Sequence, residues 1–257
     1  MSKTRLHTCR LTLLIVAALG LAAGARASVY IVDQKHPQAA DTNPGTEALP
    51  WKTVAHAAAV ARAGDTVRIK AGRYREGLIA ITNKGERIWG EKNFLIDHPL
   101  HRWLLNYITL EAYGDGEVIL DGSVELPPES WSQVEGATNL YVTKVTAHGW
   151  PGTGKPHQIG WVFLNDQPLH PKVGKAGITS GEGSLRYKPV LERPREDEPL
   201  LWYHDIAQGL LYLNMGGKTP AQIGRIEAAV YPMCVHGGHN QYLALRRLTI
   251  QRYSSRT

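Results

Sequence analysis

The chain reads as an all-β protein: a parallel solenoid of short coils, closed at its start by a short helix and interrupted by an antiparallel β insert. Three observations carry this. The stretch from Asp41 to Glu76 (DTNPGTEALPWKTVAHAAAVARAGDTVRIKAGRYRE) runs as loop, short amphipathic helix, tight turn, strand and second turn. The segments around it are short apolar strands, each closed by Gly, Asn or Asp, with no long helix between them, as in a stack whose repeats bury their faces on their neighbours. Gln241 to Tyr253 (QYLALRRLTIQRY) also echoes Asn106 to Ala112 (NYITLEA), as another turn of the same stack would.

Ser28 to Asp33 (SVYIVD) is a first strand beside the helix. Pro50 sits where a helix can begin, because its missing N–H costs nothing there. Trp51, Val54, Ala58 and Ala61 then fall on one helical stripe, with Lys52, His56 and Arg62 on the other face. Gly64 is placed as the C′ glycine that ends this helix. Thr66 to Lys70 alternates with period 2, which sends Val67 and Ile69 one way and Arg68 the other. Ala71-Gly72 ends that strand, and Gly77 to Thr82 (GLIAIT) fits the next. Asn83 to His101 breaks the pattern and reads as a surface loop between rungs. Tyr107 to Ala112 and Glu117 to Leu120 are further strands, separated by the turn Tyr113-Gly114-Asp115-Gly116 and followed by Asp121-Gly122-Ser123.

The string NPGT…PWKTVAHAAAVARAGDTVRIKAGRYRE resembles the N-terminal segment of secreted right-handed parallel β-helix proteins of the pectin-lyase-like superfamily, which includes polysaccharide lyases and glycoside hydrolases. ITLEAYGDGEVILDGS resembles the early coils of the same group. The resemblance implies that the helix plugs the open end of a right-handed parallel β-helix and that GDTV…AG.Y lays its first rung. It speaks to fold more than to reaction, because the segment is a cap and not a site.

From Val124 to about Arg225 the rhythm changes. Asn139 to Val145 and Ile159 to Leu164 are strands, Asn165-Asp166-Gln167-Pro168 is a hairpin-type turn, and Leu200 to Asp205 with Gly209 to Asn214 form a final hairpin. Lone hairpins need a third strand or a packed face, so an inserted antiparallel module is expected. WVFLNDQPL…LWYHDIAQGLLYLNMGG resembles an insert of some β-helix glycosidases, where such a sheet flanks the groove. Lys188 to Pro199 is expected to be a solvated loop, and Ile226 to Val230 to return to the solenoid. Tyr242, Leu245, Leu248 and Ile250 alternate in its last turn. The organisation is thus 1–27 leader, 28–123 cap and first coils, 124–225 insert, and 226–257 a resumed, truncated coil. With two or three coils and no cap after Thr257, the chain is expected to be the N-terminal part of a longer protein.

Lys3, Arg5 and Arg10, the apolar run Leu11 to Ala23 and the small-x-small triplet Ala25-Arg26-Ala27 make the first segment a cleavable signal peptide, too short to span a bilayer. The protein is expected to be secreted or periplasmic, with no membrane contact once the leader is cut. Its loss takes 29 cations to 25 against 23 acids, so the mature charge is +2 and not +6. That balance gives no reason to expect nucleic acid. Cys9 leaves with the leader, so Cys234 stands alone, without disulfide or thiolate cluster. Seven Trp and eleven Tyr against two Phe suit sugar faces, or equally the core and rim.

No residue declares itself catalytic. Gly149 to Pro156 (GWPGTGKP) imitates a phosphate-binding loop, but Pro156 replaces the hydroxyl residue, no helix follows and an exported protein meets no nucleotide pool. His236 and His239, with Cys234 nearby, lack a second cluster to complete a metal site and read as turn histidines, with a sugar contact open to them. Asp115, Glu117 and Asp121 could gather calcium, but no calcium-loop spacing is present and turn acids bonded to their own backbone explain them. Glu196-Asp197-Glu198 reads as a solvated charge run, and no GxSxG, HExxH or Cys/His nucleophile pattern occurs.

The resemblance implies a polysaccharide or oligosaccharide partner and a monomer at full length. A lyase would use calcium to neutralise a uronate carboxylate while a Lys or Arg takes the α-proton; a hydrolase would flank the bond with two carboxylates. In the resembled families those groups lie on later coils. This chain is therefore expected to supply a cap, early rungs and one groove wall, with a non-catalytic carbohydrate-binding β-helix as the alternative.

Overall fold

The computed structural model describes residues 27–81, 107–149, 153–172, 177–179, 186–188, 193–236 and 243–254. Residues 1–26 of the leader, the loop expected over 83–101, and His239 lie outside them. In chain order the elements are β1 (Val29–Val32), α1 (Val54–Val60), β2 (Thr66–Ile69), β3 (Gly72–Tyr74), β4 (Ile79–Ala80), β5 (Ile108–Ala112) and β6 (Val118–Asp121). There follow β7 (Ser123–Leu126), β8 (Ser132–Gln133), β9 (Leu140–Lys144), β10 (Val162–Leu164), β11 (Gln167–Leu169), β12 (Gly177–Thr179) and β13 (Arg186–Lys188). The last are β14 (Trp202–Asp205), β15 (Leu210–Asn214), α2 (Pro220–Ile223), β16 (Ile226–Ala229), β17 (Val235–His236), β18 (Leu243–Arg246) and β19 (Thr249–Gln251). The fold is mostly β.

Three sheets are wholly parallel: β1-β2-β5-β18, β3-β6-β19 and β4-β17. Equivalent residues stack in rows across them. Val67 lies over Leu110 and Leu110 over Leu245, while Tyr74 lies over Leu120 and Leu120 over Ile250. Val67, Leu110, Tyr74 and Leu120 are all but inaccessible and belong to one core with Val32, Val54, Ile79 and Cys234. Leu245 and Ile250 occupy the same interior rows yet are 41% and 45% exposed, because no described strand covers them.

The other end is covered. α1 packs on β1, β2 and β4 and buries Val54, Ala57 and Ala58. Its orphan N–H groups are all taken by side chains. The Glu76 carboxylate accepts from Val54 N and Ala55 N at 3.0 and 2.8 Å, and Thr53 Oγ1 accepts from His56 N at 3.1 Å. Trp51 precedes the helix and bridges to Val32, its ring stacked on Tyr30 at 4.5 Å. The helix is thus shorter than the apolar stripe: Thr53, with its oxygen aimed at the first turn, is the N-cap, and Pro50 lies outside. Gly64 (φ +92°) is no C′ residue either; the helix stops at Ala61 and Gly64 serves the Arg62–Asp65 turn.

A second core belongs to the antiparallel unit, which holds the sheets β14-β15-β9-β8 and β11-β10-β16-β7. Trp131, Ile159, Val162, Trp202, Leu211, Leu213, Met215 and Ile226 fill it. Asn165 and Asp166 both have positive φ (48° and 69°), the primed turn that matches strand twist in a two-residue hairpin. Two expectations are corrected. Gly72–Tyr74 is a strand and not a turn, since its N–H and C=O groups pair with β6. Ile226–Ala229 does not rejoin the parallel stack but pairs antiparallel with β7 and β10; the stack resumes at Val235.

Candidate functional site

Where the parallel sheets meet the antiparallel unit, charged side chains from five distant segments converge. β3 and the residue after it supply Arg73 and Arg75; β6 supplies Asp121. The β10–β11 turn supplies Asp166, β16 and its approach Glu227 and Arg225, and the chain beyond β19 Arg252. The backbone dictates this meeting. In β16 the alternation sends Ile226 and Ala228 into the module core and turns Glu227 to the other side. Arg252 has φ +59°, a corner conformation, directly after β19.

Glu227 is the hub. Its side chain is fully buried and faces Arg75 Nη2 at 2.5 Å, Arg73 Nη1 at 3.6 Å and Arg225 Nε at 3.7 Å, with Arg252 Nη1 in contact. Asp121, also fully buried, accepts from Ser123 N and Oγ at 2.9 and 2.7 Å and from Gln251 Nε2 at 3.1 Å. Arg73 Nη1 lies 3.4 Å from Asp121 and is buried without a hydrogen bond, drawn by two carboxylates and aligned with neither. Arg75 Nη1 donates to Ser123 O and Oγ, both at 3.1 Å. Two buried carboxylates among guanidiniums are tolerable because each charge has partners of opposite sign.

Asp166 forms the exposed rim. Arg225 Nη2 reaches both its oxygens, at 2.6 and 2.7 Å, and Arg252 Nη2 also touches it. The Arg252 hydrogen bond, aided by the charge of Arg225, holds the Asp166 carboxyl below the usual carboxylate range. Burial pulls Arg252 down, but Asp166 and Glu227 outweigh it and raise it. The Arg252 guanidinium lies 4.8 Å from the centre of the Phe163 ring. Chemically the cluster locks two layers together, and its rim offers fixed donors and acceptors to a polar ligand.

The residues singled out by sequence are not gathered into one site. Asp121 joins the cluster, but Asp115 and Glu117 are exposed: Asp115 accepts from Ala71 N at 2.9 Å and Glu117 from Thr249 Oγ1 at 2.9 Å. Among the described residues no three His, Cys, Asp or Glu side chains come together as a metal site. Cys234 is buried, which pushes its thiol up to about 11, and His236 sits in β17. Gly149 to Pro156 is described only in part. Its described ends lie against each other: a Cβ on Gly149 would stand 2.0 Å from Lys155 O. Glu196 and Asp197 are exposed and Glu198 is half-buried, and the run is not merely solvated. Glu196 accepts from Thr138 N and Asn139 N at 3.0 and 2.9 Å, Asp197 pairs with Arg195 at 3.3 Å, and Glu198 meets Lys172. The run fastens its loop to the module.

No family model matches the chain, and no curated protein matches it. Among solved structures, XylC in complex with xylose superposes with a TM-score of 0.53 at 20% identity, covering 88% of this chain and 36% of XylC. A glycoside hydrolase superposes at 0.52 and 13% identity, covering 89% of this chain and 51% of the other. At such identities the likeness is one of fold, and the chain spans only part of each protein.

Sequence reasoning missed Arg73, Arg75, Asp166, Arg225, Glu227 and Arg252 as site residues. One signal was present: Glu227 is a lone charge in the apolar run IEAAV, and such a residue is buried only with a partner. The partners carry no local spacing, since the fold alone assembles them.

Proposed function

We propose that this chain is the N-terminal part of a secreted, carbohydrate-active right-handed parallel β-helix protein of the polysaccharide lyase or glycoside hydrolase type. It supplies the capping helix, the first rungs and one wall of a groove. The observation that carries this is the last rung: Leu245 and Ile250 stand in interior rows with 41% and 45% of their surface open. Covering each would gain about 1 kcal/mol, and further rungs of the same kind cover them in register. The partial span of XylC and of the glycoside hydrolase agrees with a stack that continues. The xylose held by XylC supports a sugar as the ligand. The leader-like 1–27 segment supports export, and calcium would enter only with the later coils.

The chain alone is read as inactive. Asp121 and Glu227 are enclosed and ion-paired, so neither stands open to a glycosidic bond. Two measurements test the reading. The coding DNA beyond Thr257 should continue, directly or after a single-base shift, into further coils with paired acids or a Lys/Arg beside an Asp cluster; coils lacking these groups would leave a non-catalytic binder. Purified residues 28–257 should be retained on at least one plant or algal polysaccharide, and retention on none would refute a carbohydrate role.

A further inference from the structure

The outward side of the β10–β11 hairpin has no role in either core. Val162 and Leu164 point into the module, so Trp161 and Phe163 point away from it. Ala229 N donates to Trp161 O at 2.9 Å, which keeps Trp161 in the strand alignment. Pro168 lies opposite Phe163, and the same register sets His170 beside Trp161, with Leu169 between them turned inward. Trp161 is 43% exposed, whereas Trp51, Trp131 and Trp202 are 3%, 7% and 1% exposed. Pro168 and His170 are exposed too. Beyond Phe163 the face meets Arg252 and then the Asp166–Arg225 pair, 52% and 38% exposed. Trp161 to Leu164 spans about 10 Å at the rise of a strand.

We infer that this face is an oligosaccharide subsite: one sugar ring lies flat on Trp161, and hydroxyls of an adjoining unit meet Asp166 and Arg225. The inference rests on the carbohydrate reading above and gives it a place. An indole offers a broad apolar face that suits the C–H side of a pyranose. The rim groups hold one another in position before any ligand arrives, so little side-chain freedom is lost on binding. A two-stranded face is small beside the roughly 800 Å² per partner of a stable protein interface. The spacing from ring to rim fits a run of sugar units and not a single one.

The test uses the full chain and a panel of xylo-, gluco- and galacturono-oligosaccharides, read by calorimetry and tryptophan fluorescence. Trp161→Ala should weaken binding about tenfold or more, Trp161→Phe should recover part of it, and Asp166→Ala should weaken longer ligands more than short ones. Because Trp161 is exposed, the melting temperature of Trp161→Ala should stay put. Undiminished binding by Trp161→Ala would overturn the subsite while leaving the carbohydrate reading intact. No binding by the unaltered chain would instead sink that reading, and this inference with it. A change in self-association in place of ligand affinity would mark the face as a contact between copies and overturn the proposal.

Discussion

Arg75 Nη2 stands 2.5 Å from Glu227 Oε1, a contact between residues 152 positions apart that joins the parallel sheets to the antiparallel unit. Glu227 satisfies several guanidiniums at once, so its loss leaves cations in a site made for a carboxylate. Glu227→Ala should destabilise the chain by about 3 kcal/mol, read as a lower denaturation midpoint at unchanged slope. An effect below about 0.5 kcal/mol, the scale of a surface substitution, would show that the cluster is ornamental.

Glu76 takes two N–H groups at the start of α1 from a position after β3. Glu76→Ala should cost about 1–2 kcal/mol, the scale of a lost helix cap. Hydrogen exchange should accelerate first at Val54 and Ala55, whose partners disappear, and uniform protection across the helix would contradict the assignment.

His204 is buried with Nδ1 accepting from Ile159 N at 3.1 Å, which requires the neutral ring, and burial pushes its pKa down to about 4. The unfolded chain titrates near the ordinary histidine value of 6.5. Between these values the unfolded state takes up a proton that the folded state refuses, so stability falls as pH drops from 6.5 towards 4, by up to about 3 kcal/mol. A series of denaturation midpoints across that range checks this, and His204→Asn should flatten the slope over the same window.

Gly122 sits between β6 and β7, where the chain passes from one sheet system to the other. A Cβ there would lie 2.7 Å from Arg252 O and 2.5 Å from Tyr253 Cδ1. Gly122→Ala should therefore destabilise by about 1–3 kcal/mol through overpacking. Gly136, whose Cβ would meet nothing within 4 Å, is the matched control; its φ of +73° makes Gly136→Ala a measure of backbone strain alone.

β18 and β19 are edges of their sheets, and Leu245 and Ile250 open from them into water. Expressed alone, residues 28–257 should self-associate, because an unpaired strand edge with apolar neighbours invites pairing. Sedimentation should show mass rising with concentration, and Leu245→Lys or Ile250→Lys should restore the monomer. A sharp melt from a soluble monomer would count against this.

Much of the frame was legible. Val67 and Ile69 are buried and Arg68 exposed as period 2 requires, Trp202–Asp205 pairs with Leu210–Asn214, and Leu243 stacks on Ile108 as the echoed phrase implied. What escaped was decided by partners, not by pattern. Three residues such as Gly72–Tyr74 are too short to show a period, and an apolar run such as Ile226–Val230 suits either kind of sheet. In β18 and β19 Leu245 and Ile250 align with the buried Leu110 and Leu120, yet they are exposed because no described strand lies over them, which no alternation along the chain announces. The charged cluster needs five segments brought together, which no spacing along the chain encodes.

The antiparallel unit begins and ends at one doorway. Ser123 opens it and pairs with Ala229, which closes it, while Gly122 O accepts from Val230 N at 2.9 Å and Tyr231 N at 3.2 Å. A lineage can therefore enlarge, exchange or discard what hangs from that doorway without rethreading the parallel strands on either side. Recognition can diversify there while the scaffold that carries it stays as it was.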